Sequence, residues 1–299
     1  MLESLTQCPL CSTKEIRSVK TIIDHAVSQE SFQVLECTSC RLLFTSPRPL
    51  ANEIGPYYEF DEYYSHSDDA GGLIPTIYQQ VKQYSIKQKI KQLNQFVTKG
   101  TLLDYGCGTG EFILQASKQE WSAFGIEPND KARAIASTKL KEKVYASLQQ
   151  LIKGLKFDVI TLYHVLEHIH ELDDTVNKLL SHLNPGGYIF IAVPNPESPD
   201  AQLYKEYWAG WDVPRHLYHF THQAMMTFGE KFGLEHIESK PLKFDSFYVS
   251  LLSEGYQSPK QSKLKTYFQA FKNGLNSNIQ ASKAKRPSYS SNLYIFRKP

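Results

Sequence analysis

Residues 101–110 read Thr-Leu-Leu-Asp-Tyr-Gly-Cys-Gly-Thr-Gly, and this stretch decides the fold. A short apolar strand, Thr101–Tyr105, runs into three glycines spaced two apart, and a helical pattern follows to about Gln119. Glycines at such a turn let backbone come within contact distance of a ligand. The free N–H groups of the helix start face the same place. The spacing is not the dinucleotide-binding G-x-G-x-x-G pattern, and an acid, Asp104, stands two residues before Gly106. That acid suits a ligand carrying a cation. The next strand, Ser122–Ile126, ends in Gly125-Ile-Glu127-Pro128, where an acid can accept both hydroxyls of a ribose. The expected ligand has a ribose and a positive group, with no evident phosphate.

The same alternation extends outward. A helix is expected from Asp130 to about Leu140, a short strand at Lys143–Ala146, a strand at Phe157–Tyr163 and a helix at Asp173–Leu183. Asn184-Pro-Gly-Gly187 should end that helix before a strand at Tyr188–Val193. Strands and helices at this pitch form a parallel sheet covered on both faces. Upstream, Ile86, Ile90, Leu93 and Val97 mark an amphipathic helix from about Ile77. Downstream come a helix at His222–Phe232, a strand at Leu234–Leu242 and a basic helical stretch over 245–285. A last strand, Asn292–Phe296, is expected as the antiparallel partner of 234–242.

The stretches LDYGCGTG (103–110), GIEP (125–128), FDVITLYHVLEHI (157–169) and LLSHLNPGGYIFIAVPN (179–195) together resemble the class I S-adenosylmethionine-dependent methyltransferases. The resemblance covers about residues 77–193, and it implies an α/β fold with a doubly wound, seven-stranded, mostly parallel sheet. It implies S-adenosylmethionine as cofactor, with Asp104, Gly106 and Gly108 on its methionine side. Glu127 would take the ribose hydroxyls, Pro128 would lie near the adenine, and Tyr163 and His164 would face the sulfonium. Cys107, inside the glycine loop, needs no reactive role.

His164-Val-Leu-Glu167-His168 also spells the H-x-x-E-H pattern of a zinc peptidase class. Its position after the fourth core strand argues against that chemistry, and no third ligand is evident. A milder parallel is the Glu-x-x-Glu-His with which some quinone-biosynthesis O-methyltransferases bind a divalent ion; here His164 replaces the first Glu. The plain alternative is a capped helix packed beside the cofactor.

Four of the five cysteines form two pairs, Cys8-Pro-Leu-Cys11 and Cys37-Thr-Ser-Cys40, with 25 residues between them. Two such knuckles make a closed tetrahedral zinc site of four thiolates, of the ribbon type, which stabilises a small fold and leaves no open position for catalysis. The expected organisation is a zinc ribbon over 1–48 and a linker or lid over 49–76. A methyltransferase domain then occupies 77–299, with the basic helical insertion at about 245–285. In the linker, Tyr63 and Tyr64 belong to a tyrosine cluster placed either to contact the cofactor or to pack the ribbon on the core.

Ligands of open α/β sheets sit beyond the carboxyl ends of the strands, so the loop after Val193 is expected to help build the acceptor site. Tyr207-Trp208-Ala-Gly-Trp211-Asp212-Val-Pro214-Arg215-His216-Leu-Tyr218-His219-Phe220 suits a ring-bearing polar acceptor such as a sugar. Alternatively, Asp212 and Arg215 pair with each other and the tryptophans pack. A hydroxyl acceptor needs a base with a pKa near 7, which favours histidine. The candidates are His216, His164 and His219.

The chain has 299 residues, a formal net charge of +2 and 41% hydrophobic residues, which fits a soluble globular protein. It shows no secretory start and no apolar run of membrane-spanning length, so a cytoplasmic location is expected. Nine of its 33 basic residues follow Glu254, and no acid does, so the body carries 24 bases against 31 acids, a net of −7. The expected acceptor is a small molecule or a glycan. The alternative is ribosomal RNA, against which the acidic body argues. A non-catalytic cofactor-binding module is opposed by the intact Asp104, glycines and Glu127. The helical pattern of 262–276, with lysines between apolar residues, suits an anionic membrane surface or nucleic acid; the plain alternative is a helix covering the sheet. Oligomeric state is not legible.

Overall fold

The computed structural model describes residues 1–58, 73–152, 154–286 and 288–299. Tyr63 and Tyr64, with most of the expected lid, lie outside the described residues. The chain begins with β1 (Leu2–Glu3), β2 (Ile16–Ile23), β3 (Ser31–Cys37), β4 (Leu43–Thr45) and β5 (Arg48–Pro49), and then α1 (Leu73–Leu93). Five strands follow with their helices: β6 (Thr101–Tyr105), α2 (Glu111–Lys118), β7 (Ser122–Ile126), α3 (Asp130–Leu140), β8 (Val144–Tyr145), β9 (Phe157–Tyr163), α4 (Leu172–His182) and β10 (Leu183–Pro194). The rest is α5 (Pro199–Tyr204), β11 (Tyr218–His219), α6 (His222–Lys231), β12 (Glu235–Pro241), α7 (Asp245–Gln257), α8 (Lys263–Ser282) and β13 (Ser291–Arg297).

The main sheet has seven strands in the order β12-β13-β10-β9-β6-β7-β8. β6, β7, β8, β9 and β10 pair in parallel, and β13 runs antiparallel to both β10 and β12. The expected final antiparallel pair is therefore present. β9 shows why the sheet is covered on both sides: Phe157, Val159, Ile160, Thr161 and Leu162 are all buried, so the strand reads as a continuous apolar run. Its neighbours divide between two apolar clusters on opposite faces.

The order reverses between β6 and β9, because the chain winds outward through β7 and β8 and then returns. Ligands bind at such a switch point, beyond the carboxyl ends of the strands. Asp104 and Tyr163 stand at those two ends.

Two local expectations change. Asn184-Pro-Gly-Gly187 does not separate helix from strand; it lies inside β10, where a register shift between Leu183 and Tyr188 absorbs it as a bulge. The basic stretch over 245–285 is two helices, α7 and α8, which break at Ser258-Pro259.

The N-terminal strands, the expected ribbon, share a sheet with a later part of the chain. β4 pairs on one side with β3 and on the other with β11, from a segment more than 170 residues later. Leu10, Phe44 and the buried cysteines share one apolar cluster with Leu162, Leu166 and Phe220 of the main domain. No described helix is long and apolar enough to cross a membrane.

Candidate cofactor and acceptor site

The glycine loop is built by positive φ angles at Gly106, Gly108 and Gly110. A Cβ on Gly106 would lie 2.4 Å from Val165 Cγ2, so that position accepts only glycine. The loop is tied to β7: the Gly106 and Cys107 N–H groups both donate to Ile126 O. Gly108 N–H donates to Glu127 Oε2 at 2.8 Å and Asn129 N–H to Glu127 Oε1 at 2.9 Å. Gly108 of the glycine loop and Glu127 thus meet, and Pro128 lies exposed beside them. Cys107 is buried, and burial followed by the charges of Asp104 and Glu127 pushes its thiol pKa up, so it stays protonated.

Asp104 is buried, and burial pushes its pKa up to about 6 against the pull of the Thr161 hydroxyl, which donates at 2.6 Å, and of the Lys89 ammonium. Lys89 comes from α1, with Nζ 3.7 Å from the centre of the Tyr163 ring. Tyr163 packs edge-on against Phe112, and its hydroxyl has no hydrogen-bond partner among the described residues. A buried acid, a half-buried lysine and an aromatic face therefore meet at the carboxyl ends of β6 and β9. Lys89 and Thr161 carry no sequence signal of their own; one belongs to a helical stripe and the other to a strand.

His164 takes a left-handed backbone conformation, φ 58°. That turns its ring between two acids, with Nδ1 3.6 Å from Glu167 Oε1 and Nε2 3.0 Å from Asp245 Oδ2. Burial works against its charge, but the Asp245 and Glu167 contacts prevail and raise its pKa to about 10. At neutral pH His164 is a cation, which removes it as a proton acceptor. Its folded pKa lies above the ordinary 6.5, so its stabilising contribution is complete below that value and fades as pH rises toward 10. His164→Gln is expected to flatten the loss of Tm over this window relative to the wild type. Parallel slopes would refute the ion pairs.

His219 lies in β11, within the ribbon sheet. Its Nε2 is 3.4 Å from Thr45 Oγ1, its ring packs on Trp211, and burial holds its pKa well below the ordinary range. The tryptophans also turn inward: Trp208 Nε1–H donates to Asp200 and Trp211 Nε1–H to the Lys205 carbonyl. Both are almost fully buried, so they pack the loop and present no open stacking platform. Asp212 and Arg215 do pair. The Arg215 guanidinium forks onto Asp212 and also reaches Asp24, in the turn between β2 and β3, at 2.9 Å, and the Tyr57 carbonyl at 2.8 Å. This buried network holds the loop against the ribbon.

His216 is the histidine that meets Glu167. Its Nδ1 lies 2.9 Å from the Gly210 carbonyl, which requires Nδ1 to donate and leaves Nε2 as the acceptor. Nε2 lies 4.0 Å from Glu167 Oε1 and 3.8 Å from Asp212 Oδ2. Glu167 is completely buried, and neither carboxylate oxygen has a hydrogen-bond partner among the described residues. Burial opposes its charge, but His164 and the fields of His168 and His216 bring its pKa below the usual value. His168 is shifted down to about 4, by burial first and His216 second, so it is neutral.

Residues 166–168 form a 3-10 turn, so His164 and His168 do not share an α-helical face as a zinc peptidase would need. Instead Glu167, His168 and His216 bring three ligand atoms within 4.8 Å of one another. His216 offers the third donor atom that the sequence hid, 49 residues beyond Glu167.

The four paired cysteines also converge within 4.8 Å, with Sγ separations of 3.6 Å for Cys8–Cys40 and 3.5 Å for Cys11–Cys37. Zinc–sulfur bonds of about 2.3 Å in a tetrahedron need sulfurs about 3.8 Å apart, so the set fits a tetrahedral thiophilic ion. The close Cys8–Cys40 contact lowers Cys8 to about 5 and pushes Cys40 up.

Residues 78–239, more than half of the chain, match a family described as a methyltransferase domain. The curated relatives include the ubiquinone biosynthesis O-methyltransferases of Rickettsia akari, 24% identical over 56% of this chain and 70% of that protein, and of Rhizobium rhizogenes, 27% identical over 54% and 65%. Across such relatives the matches span 51% to 72% of their length. Among solved structures, the magnesium protoporphyrin IX methyltransferase of Synechocystis, bound to S-adenosylhomocysteine, shares the fold. Its TM-score is 0.50 at 12% identity, over 81% of this chain and 97% of that one.

Proposed function

This chain belongs to the methyltransferase-domain family and is an S-adenosylmethionine-dependent methyltransferase; from that premise we propose that it methylates a hydroxyl group of a small molecule. The observation that carries the hydroxyl reading is His216. Its tautomer is fixed by Gly210 so that Nε2 can accept a proton, and the buried Glu167 carboxylate stabilises the imidazolium that results. Both belong to loops beyond the carboxyl ends of the strands, where the cofactor's methyl group would be presented. The curated relatives named above, themselves O-methyltransferases, support the same reading.

The cofactor's sulfonium supplies an activated methyl group for in-line transfer, and the chain's part is positioning and charge. Glu127 and the glycine loop would hold the ribose side, and Asp104 the cationic methionine side. A second reading is favoured by the buried Glu167 oxygens, which accept no hydrogen bond among the described residues. With His168 and His216 it would hold a divalent ion, which would acidify a bound hydroxyl. A sugar or glycan acceptor remains within the small-molecule class. The aromatic loop does not argue for it, because Trp208 and Trp211 face the interior. We further propose that Cys8, Cys11, Cys37 and Cys40 hold a structural zinc ion.

The test is transfer of labelled methyl from S-adenosylmethionine to phenolic, sugar and lipid-linked hydroxyl pools and to total RNA. Label is expected in a hydroxyl-bearing small molecule, and label confined to RNA would overturn the proposal. Glu167→Gln is expected to lower kcat by about 100-fold or more with cofactor Kd unchanged. Restoration of the wild-type rate by added Mg2+ or Mn2+, after loss on chelation, would select the metal reading over the base.

A further inference from the structure

Helix α8 is built the wrong way round for a surface helix. Its inward face is made of small residues, Ala270, Gly274, Ser277 and Ala281, and Gly274 sits so close to Phe247 and the Ser246 carbonyl that a Cβ there would meet them at about 3 Å. Its large apolar residues point outward: Leu264 is 82% exposed, Phe268 66% and Phe271 61%, and Leu275 and Ile279 continue the line. An ordinary amphipathic helix hides such residues and exposes the small and polar ones. The five recur every three or four positions from 264 to 279, so they form a single stripe about 22 Å long.

The stripe continues onto α7. Phe247 stacks on Phe271 with ring centres 5.5 Å apart, and Phe244, at the start of α7, is 40% exposed. The next residue, Asp245, reaches inward to His164. The apolar surface is thus rooted at the rim of the candidate site.

Charge decides what covers the stripe. At about 100° per residue, Lys265 and Lys272 fall along one flank of the stripe, whereas Lys263, five turns before Ala281, opens the helix on the side of the small residues. Lys260 precedes the helix, and Lys283, Lys285 and Arg286 follow it. Residues 255–299 contain no acid, whereas the rest of the chain carries a net −7. A protein interface core is depleted of lysine, but an anionic lipid surface favours apolar and aromatic residues at headgroup depth with lysines beside them. The acidic body would be repelled by the same surface, which leaves this face to approach it.

We propose that the α7–α8 hairpin is a docking surface for an anionic lipid bilayer, lying in the interface with Phe268 and Phe271 inserted and Lys265 and Lys272 against the headgroups. Phe268, Phe271, Lys265 and Lys272 themselves have no role in methyl transfer, so docking can fail or hold independently of that function.

The experiment is co-sedimentation of the full chain with phosphatidylcholine vesicles, with and without phosphatidylglycerol, alongside size-exclusion chromatography and binding to bulk tRNA. Binding to the anionic vesicles is expected to be at least about tenfold tighter than to the neutral ones and to weaken with salt. Phe268→Ser/Phe271→Ser is expected to abolish it, and Lys265→Gln/Lys272→Gln to reduce it about tenfold or more. Absence of vesicle binding by the folded wild type would overturn the proposal. So would a dimer that becomes monomeric when the two phenylalanines are replaced, or tRNA binding that needs the lysines while vesicle binding does not.

Discussion

Asp104→Asn is expected to weaken S-adenosylmethionine binding by about 100-fold or more, the loss of one charged partner from a buried ion pair of about 3 kcal/mol. The carboxylate is buried, with Thr161 donating to it and Lys89 as the cation nearest in its field. An amide would keep the Thr161 contact and lose the charge. The wild-type pH dependence gives an independent sign. Burial lifts the Asp104 pKa to about 6, and a cationic ligand binds its ionised form. Affinity should therefore rise with pH through about 6 and then level, with a proton released on binding below that point. Calorimetry in two buffers of different ionisation enthalpy measures both effects. A Kd for the variant within twofold of the wild type would remove Asp104 from the cofactor site.

Cys37→Ser/Cys40→Ser is expected to abolish acceptor methylation while leaving the Kd for S-adenosylhomocysteine within a few-fold of the wild type. The split follows from the fold. Asp104, the glycine loop and Glu127 rest on β6 and β7, whereas His216 is held by the ribbon. Thr45 Oγ1–H donates to the His216 carbonyl at 2.8 Å, Thr45 N–H donates to the Leu217 carbonyl, and β11 pairs with β4. Arg48 donates to the Tyr218 hydroxyl at 3.1 Å. A ribbon held by a thiolate-bound ion owes its folding free energy to that ion. Losing the ion should free residues 216–220 before it disturbs the main sheet. Hydrogen exchange would show this as lost protection over β2, β3, β4 and β11 alone, and chelation of the wild type should reproduce it. Full turnover by the metal-free variant would refute the dependence.

The sequence reveals what its chemistry keeps local. The glycine loop, Asp104 and Glu127 are legible because a turn, a helix start and a strand end each lie within a few residues. The paired cysteines are legible because each Cys-x-x-Cys pair lies within four residues, and the fold brings the two pairs together. The parallel strands are legible to within a few residues, as continuous apolar runs.

Contacts over long separations stay hidden. Nothing around Leu43 announces that β4 will take Tyr218–His219 as a neighbour, or that Arg215 will reach back to Asp24. His164, His216 and His219 look alike as letters. Their environments separate them: one is clamped between acids, one has a fixed tautomer beside Glu167, and one is buried in the ribbon. Asn184-Pro-Gly-Gly187 misleads for another reason, since a bulge and a turn draw on the same residues.

The composite ribbon sheet also bears on how the polypeptide is made. During synthesis, β4 and its cysteine knuckles emerge early, but β11 follows only after more than 170 further residues. At about 5–20 residues per second, β4 keeps an open edge for on the order of ten to thirty seconds. An uncovered edge is a template for pairing with other chains. A ribbon already closed around its four thiolates would be the ordered part of the nascent chain, offering Leu43–Thr45 as a ready platform on which the acceptor loop is laid down last.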